Sequence, residues 1–117
     1  MIGLTIEQEK TGEVLVMAPA GRIDSTTAKD FENAALGEIA GGARSMVLDF
    51  AALDYISSAG LRVVLMAGKR LKAAGGTLVL CTLAPAIHDV FEISGFLNLF
   101  PVCPTRQEAV ATAAAAA

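Results

Sequence analysis

Histidine, cysteine and tryptophan are scarce in this sequence of 117 amino acids, which has one histidine, two cysteines and no tryptophan. The cysteines, Cys81 and Cys103, stand far apart in apolar surroundings, and no CxxC pair occurs. Structural zinc sites use four Cys or His ligands, and disulfide frameworks use several cysteine pairs in small secreted chains. We therefore expect no metal site and no disulfide, but two reduced and buried thiols.

Long apolar runs and clusters of positive charge are also missing. No apolar run reaches the roughly 18 residues that a membrane-spanning helix needs, and the N-terminus lacks the basic and apolar regions of an export signal. The net charge is −3, and the only basic stretch is residues 69–72, whereas nucleic-acid binding needs Lys and Arg gathered over one face. The sequence thus predicts a cytoplasmic protein with no direct membrane insertion and no nucleic-acid partner.

Sequence motifs of catalysis and phosphate binding are absent as well. Neither GxGxxG nor GxxxxGK[ST] occurs. The nucleophile motif GxSxG would need a glycine two positions before Ser57 or Ser58, where Tyr55 and Ile56 stand. A serine triad would have to use His88, the one histidine, which its helical spacing places on an outer, solvated face. We therefore predict no catalytic residue and no cofactor, and we interpret the protein as a non-enzyme.

Short apolar strands alternate with amphipathic helices along the whole chain. The predicted strands are 2–7, 14–20, 45–50, 77–83 and a short one at 96–100, and helices begin near residues 28, 59, 85 and 106. This order, β-β-α-β-α-β-α-β-α, predicts an α/β fold with a mixed sheet and helices packed on it, as one domain over residues 1–117. The alanines at 113–117 have no large side chain to anchor them, so we expect them to fray.

Two loops at the carboxyl ends of predicted strands carry polar residues. Asp24 follows the second strand, and residues 25–27 supply candidate N-caps for the first helix. Ser57 and Ser58 stand where the connection over residues 51–57 passes into the second helix. Because ligands and partners of such sheets meet the loops at this edge, we expect both loops to border one surface.

The paired serines have two compatible interpretations. One hydroxyl would cap the second helix by accepting a hydrogen bond from a first-turn N–H group. One could also accept a phosphate, because the exposed N–H groups and the positive end of the helix dipole favour added negative charge. Phosphorylation would add about −1.5 to −2 charges, which changes the surface without melting the helix. The residues alone leave both interpretations open.

Several stretches resemble the STAS domains of bacterial anti-sigma factor antagonists. The resemblance rests on residues 21–24, 48–61, 75–76 and 93–96, which follow one another in the family's order along nearly the whole chain. It implies a cytoplasmic partner-switching protein, whose unphosphorylated form binds an anti-sigma factor and thereby frees a sigma factor. The anti-sigma factor is then itself a serine kinase of the histidine-kinase-like ATPase class. Its phosphorylation of the antagonist ends the binding, and a serine phosphatase restores it.

Alignment on the serine-glycine-leucine turn places the family's phosphoacceptor at Ser58, two residues before the glycine. The common pattern Asp-Ser-Ser-Gly is altered, since Ser57 replaces the acid and Ala59 the second serine, and Ser57 is the alternative acceptor. Besides the acceptor, the expected partner-binding residues are Asp24, Ser25, Thr26, Ile56, Ser57, Gly60, Leu61, Arg62 and Met66. For Leu61 and Met66, packing in the core is the alternative interpretation.

A second function fits the same fold. A small STAS accessory subunit of a transporter or signalling scaffold would use the serine only as a helix cap, without a phosphorylation switch. A small serine hydrolase is a third and more distant candidate. Phosphorylation of the peptide that contains residues 57–58 distinguishes the first function from the second, and labelling by serine-reactive esters tests the third.

Overall fold

The computed structural model describes residues 3–116, which form a mixed sheet of six strands covered by four α-helices. The strands are β1 (Leu4–Thr11), β2 (Val14–Ile23), β3 (Ser45–Asp49), β4 (Leu53–Ile56), β5 (Thr77–Cys81) and β6 (Val102–Cys103). The helices are α1 (Ala28–Ala40), α2 (Ser58–Ala73), α3 (Pro85–Ile93) and α4 (Arg106–Ala116), and a turn of 3₁₀-helix spans Phe96–Asn98. No helix within residues 3–116 has the length and apolar character needed to span a bilayer. Met1, Ile2 of the first predicted strand and Ala117 of the predicted tail lie outside the described residues.

The strand pairing brings two loops to the same edge of the sheet. The strand order is β1-β2-β3-β5-β6, and β4 pairs with β2 off this path. β1 and β2 form an antiparallel hairpin, and the other pairs are parallel. β3 pairs with Val14–Met17 at the start of β2, whereas β4 pairs with its end, where Ile23 lies opposite Ile56. The loops that follow β2 and β4 are therefore neighbours.

The central strands β2, β3 and β5 separate two hydrophobic layers. Side chains alternate between the two faces of a strand, and both faces are covered here, which explains the unbroken apolar character of these segments. The layer under α1, α2 and α3 includes the strand residues Leu15, Met17, Met46, Leu48, Leu78 and Leu80. The layer under α4 includes Val14, Val16, Val47, Val79 and Cys81. In α4 itself the buried residues are Ala109 and Ala113, and such small side chains allow the helix to lie close to the sheet.

The predicted α/β class with a mixed sheet is confirmed, and so is the predicted N-cap of the last helix, where Glu108 N–H donates to Thr105 Oγ1 at 3.1 Å. Two local assignments differ. The connection predicted over residues 51–57 contains β4, because this short segment pairs with the distant β2. The short strand predicted at 96–100 is a 3₁₀ turn, and pairing with β5 begins only at Val102. Gly95, with φ of 80°, bends the chain there and directs Phe96 into the core.

The start of α1 and the end of α4 also depart from expectation. Thr27 occupies the N-cap position of α1 but makes no side-chain cap. Its hydroxyl oxygen accepts a hydrogen bond from Asp24 N–H at 2.9 Å, and its proton is donated to the carbonyl of Arg22 at 2.8 Å. At the other end of the chain, α4 continues to Ala116, and Ala113 is buried. Ala113 is therefore part of the packed helix, while fraying of the exposed alanines beyond it stays a prediction.

Candidate functional site

Ser57 and Ser58 have different surroundings at the N-terminus of α2. Ser57 is the N-cap residue, since its Oγ accepts a hydrogen bond from Gly60 N–H at 3.3 Å. Its own N–H donates to the carbonyl of Ile23 at 2.8 Å and ties the start of α2 to the end of β2. Ser58 is the first helical residue and is exposed, and none of the side-chain hydrogen bonds found within residues 3–116 involves its hydroxyl. One hydroxyl thus belongs to the fold, and the other faces solvent.

Gly60 allows the first turn of α2 to pack directly on two strands. A Cβ atom at this position would lie 2.6 Å from Ile23 Cγ2 and 2.7 Å from Ile56 Cγ1. These two buried isoleucines face each other across β2 and β4. The turn that carries Ser57 and Ser58, here called the serine turn, therefore lies close against the sheet, because Gly60 places no side chain between the helix and the two strands.

The loop after β2 presents a carboxylate beside the serine turn, because Asp24 follows the residue to which Ser57 is hydrogen-bonded. Asp24 Oδ1 accepts hydrogen bonds from Thr26 Oγ1 at 2.7 Å, from Thr26 N–H at 2.9 Å and from Thr27 N–H at 3.2 Å. The bonds from the Thr26 hydroxyl and backbone N–H lower the pKa of Asp24 below its ordinary value of 3.8. The carboxylate is thus charged at neutral pH and held in one orientation.

A stacked pair, Arg22 and Tyr55, adjoins both loops, although the sequence interpretation did not include it. The two residues are opposite each other on β2 and β4, and the guanidinium carbon lies 4.4 Å from the centre of the ring. Arg22 Nε also lies 3.8 Å from Asp24 Oδ2. Tyr55 is 41% exposed. The sequence could have pointed to Tyr55 as a site residue, because it is the chain's one tyrosine and stands two residues before Ser57. Its contact with Arg22, however, depends on the pairing of β4 with β2, which was not predicted.

The other predicted contact residues divide according to burial. Those that are exposed or half-buried, and therefore accessible to a partner, are Ser25, Thr26, Leu61, Arg62 and Met66. Leu61 and Met66 pack against the core with one part of their side chains and leave the other part accessible, so core packing and partner contact are compatible for both. Ile56 and Gly60 are buried and support the serine turn from beneath. Their part in partner contacts stays a prediction.

His88 belongs to a different part of the molecule. It lines a shallow pocket with Thr82 and Cys103, to which neither Ser57 nor Ser58 contributes. One of its ring nitrogens lies within 4.8 Å of carboxylate oxygens of Asp89 and Glu92 on the same helix, the one such group of potential metal ligands between residues 3 and 116. Three neighbouring groups on the surface of one helix do not amount to a closed coordination sphere. The expectation that the protein binds no metal stays a prediction.

Comparison with known protein families gives a match over most of the chain. The model of the STAS domain family matches residues 5–109. The BtrV protein of Bordetella bronchiseptica, assigned as an anti-sigma factor antagonist, is 44% identical over 108 residues. The aligned region covers 92% of this chain and 93% of that relative.

Solved structures of similar proteins share the architecture. An anti-sigma factor antagonist from Mycobacterium paratuberculosis has a TM-score of 0.88 and 25% identity, covering 95% of this chain and 94% of that one. The anti-sigma factor antagonist SpoIIAA in its unphosphorylated form has a TM-score of 0.78 and 26% identity over 91% and 93% of the two chains. The phosphorylated form of SpoIIAA from Bacillus has a TM-score of 0.74 and 25% identity over 92% and 98%.

Proposed function

This chain belongs to the STAS domain family, and its relatives include anti-sigma factor antagonists; we propose that it is such an antagonist and is switched by phosphorylation of Ser58. The unphosphorylated protein binds an anti-sigma factor and thereby frees the sigma factor that this partner holds. The observation that carries the proposal is the free, exposed hydroxyl of Ser58 at a helix N-terminus whose cap is already supplied by Ser57.

Ser58, rather than Ser57, is the proposed phosphoacceptor. A kinase must bring the hydroxyl into line with the transferred phosphoryl group, which requires access from solvent. Ser58 is exposed, whereas Ser57 is half-buried and its oxygen accepts the bond from Gly60 N–H. Phosphorylation of Ser57 would modify the oxygen that accepts this hydrogen bond, whereas phosphorylation of Ser58 leaves that oxygen unchanged.

The added phosphate changes the surface more than the fold. At the first position of α2 it lies near N–H groups and the positive end of the helix dipole, both of which favour a negative group. It also adds about −1.5 to −2 charges close to Asp24, whose carboxylate is already ionised. A partner that contacts this surface must desolvate the phosphate and tolerate the like charges, a penalty of several kcal/mol that lowers affinity by orders of magnitude.

The proposed partner surface surrounds Ser58 with groups of mixed character. On the side of β2, this surface contains the carboxylate of Asp24, the guanidinium of Arg22, and Ser25 and Thr26 of the following loop. On the side of α2, it contains the guanidinium of Arg62 and the half-buried side chains of Leu61 and Met66. We assign to this surface an anti-sigma factor that is also a serine kinase of the histidine-kinase-like ATPase class. A serine phosphatase resets the switch, and the exchange takes place in the cytoplasm.

The alternative function, an accessory subunit of a transporter or scaffold, explains less of the site. It needs one serine as a helix cap, and Ser57 fulfils that need. This alternative assigns no role to the exposed hydroxyl of Ser58 or to the Asp24 carboxylate, which hydrogen bonds hold in one orientation. The antagonist function accounts for both serines.

Phosphorylation by a candidate partner tests the proposal. The protein is incubated with ATP and each anti-sigma factor kinase encoded in the same genome, and the site is located by tandem mass spectrometry. We expect phosphate on Ser58 in the wild type and in Ser57→Asn, which keeps a capping side chain without an acceptor hydroxyl. We expect none in Ser58→Ala.

Binding measurements complete the test. Ser58→Asp should lower the affinity for the anti-sigma factor at least tenfold relative to Ser58→Ala, because it places a charge where the phosphate would lie. If no kinase modifies Ser58 and both variants bind every candidate partner as the wild type does, the proposed switch is wrong.

A further inference from the structure

The two cysteines, 22 positions apart in the sequence, are neighbours in the sheet. Cys81 ends β5 and Cys103 ends β6, and they are partners in the parallel register of these strands. Neighbouring strands lie about 4.8 Å apart, and disulfides span Cα separations of about 4.4–6.8 Å. Both thiols are free. The spacing of paired strands thus falls within the Cα separations that disulfides span.

The side chains of this pair lie on the same face of the sheet. Cys81 belongs to the layer under α4, and Cys103 packs against that layer. Cys103 Sγ lies 3.6 Å from Thr112 Oγ1 of α4. The two sulfur atoms therefore occupy one compartment between the strands and the helix.

The two thiols differ in their access to solvent. Cys81 is fully buried, and burial, assisted by the charge of Asp49, raises the pKa of its thiol to about 11 against the opposing hydrogen bond of Thr82. Cys103 is half-buried and lines the shallow pocket that also contains His88 and Pro104. A small oxidant in solution therefore meets Cys103 first.

The strand that carries Cys103 has room to adjust. β6 has only two residues, lies between Pro101 and Pro104, and forms the outer edge of the sheet. A disulfide requires Cβ atoms about 3.5–4.5 Å apart, closer than the strand spacing, so one strand must move slightly. A two-residue edge strand meets that requirement more easily than a central strand would.

We propose that Cys103 and Cys81 form an oxidisable pair, in which hydrogen peroxide attacks at Cys103 and Cys81 closes an intramolecular disulfide. The Cys103 thiolate attacks one peroxide oxygen, the O–O bond breaks, and water leaves after protonation of the departing hydroxide. The Cys81 thiol, losing its proton, then attacks the Cys103 sulfur of the sulfenic acid and releases a second water. Two thiols and one peroxide become one disulfide and two waters, and the two electrons come from the thiols.

The disulfide would link the edge strand β6 to β5 covalently, at a place that does not include the serine turn. The segment that it closes contains α3 and the 3₁₀ turn, whereas Ser57 and Ser58 lie outside it. Closing a loop of this length restricts the unfolded chain and so stabilises the folded one. We therefore expect oxidation to raise the melting temperature and to leave phosphorylation at Ser58 unchanged.

Mass spectrometry of the peroxide-treated protein tests the pair. The reduced full chain is treated with increasing hydrogen peroxide under dilute conditions, quenched, and alkylated under denaturing conditions. Trypsin leaves both cysteines on the single peptide 73–106, and cleavage before Asp89 separates them. We expect a mass lower by two hydrogen atoms, no alkylation, and fragments 73–88 and 89–106 that stay joined until a reductant is added.

Single-cysteine variants provide the controls. Cys103→Ser should keep Cys81 reduced at peroxide concentrations that convert the wild type, and Cys81→Ala should accumulate sulfenic or sulfinic acid at Cys103. If Cys81→Ala does not fold, the wild type and Cys103→Ser, a change at a half-buried position, still decide the outcome. The proposal is overturned if wild-type Cys103 is oxidised alone or pairs between molecules, while Cys81 remains open to alkylation after unfolding.

Discussion

The guanidinium of Arg22 stacks on the ring of Tyr55, with 4.4 Å between the guanidinium carbon and the ring centre, across the pairing of β2 with β4. This contact holds a flexible cationic side chain over a rigid aromatic one beside Asp24 and the serine turn. Arginine and tyrosine are enriched among the residues that dominate binding energy at interfaces. The pair therefore adds an ordered group to the proposed partner surface, on the side of Asp24.

Removing the ring should weaken partner binding. We expect Tyr55→Ala to raise the Kd for the anti-sigma factor about tenfold, roughly 1.4 kcal/mol, because the partner loses the ring and Arg22 loses its support. Tyr55→Phe keeps the stacking surface and should bind like the wild type. Titration calorimetry with unphosphorylated protein measures both values, and equal affinities for Tyr55→Ala and Tyr55→Phe contradict the prediction.

The two serines should differ in their effect on stability. Ser57→Ala removes the N-cap of α2 and should lower the free energy of unfolding by about 1 kcal/mol, whereas Ser57→Asn should restore most of it. Ser58→Ala should change it by less than about 0.5 kcal/mol, because its hydroxyl is exposed. Urea denaturation measures all three. A larger loss in Ser58→Ala than in Ser57→Ala would show that the cap is assigned to the wrong residue.

Gly60 should not tolerate a side chain. Gly60→Ala places a Cβ atom 2.6 Å from Ile23 Cγ2 and 2.7 Å from Ile56 Cγ1, and we expect a loss of about 1–3 kcal/mol in the free energy of unfolding. Gly37→Ala is the matched control, since Gly37 lies in α1 and a Cβ atom added there would meet open space. That change should stabilise the protein by roughly 0.5–1 kcal/mol. Thermal and urea unfolding of both variants compare the two effects.

Asp24 should make part of the stability sensitive to acid. Its pKa is lowered in the folded protein by the hydrogen bonds of Thr26, so the unfolded chain binds a proton more tightly. The contribution is present above the ordinary pKa of 3.8 and is lost as the pH falls through the lower folded value. The melting temperature of the wild type should therefore fall more steeply below pH 4 than that of Asp24→Asn. Parallel curves for the two proteins would contradict this assignment.

The ion pair of Arg106 with the buried Asp49 carboxylate should contribute more to stability than its pair with the exposed Glu9. Arg106 Nε lies 2.7 Å from Asp49 Oδ2, which is nearly buried, and Arg106 Nη1 lies 3.0 Å from the exposed Glu9 Oε1. We expect Arg106→Ala to cost about 1–2 kcal/mol of stability, because the buried Asp49 carboxylate loses its cationic partner and keeps only the hydrogen bond from Ala51 N–H. Glu9→Gln should cost less than about 1 kcal/mol. Equal losses in urea denaturation would show that Asp49 does not depend on Arg106.

The sequence was sufficient for features that depend on local pattern. The buried central strands, the helix that begins with Pro85 and the N-cap Thr105 follow from apolar runs and from the backbone preferences of single residues. The turn that contains the serines was placed correctly for the same reason. The sequence did not show which serine caps α2, because this depends on the residue at which the helix begins. If α2 began one residue later, Ser58 would be the cap in place of Ser57.

Features that depend on distant pairing were not predictable in this way. The segment Leu53–Ile56 has the burial pattern of neither a half-buried nor a fully buried strand, because Asp54 and Tyr55 are both exposed. It becomes a strand through its pairing with the end of β2. The contact between Arg22 and Tyr55 and the alignment of Cys81 with Cys103 have the same origin, since each joins residues from separate strands.

Because Ser57 caps α2 and Ser58 carries the exposed hydroxyl, the structure suggests how the proposed regulation can be gained or lost during evolution. Since the cap resides in one serine and the free hydroxyl in the other, a single replacement at position 58 abolishes the proposed switch without any compensating change in the fold. Such a replacement would yield an antagonist that is always active. Fewer residues are tolerated at position 57, because the side chain there must cap α2 for the fold to keep its stability.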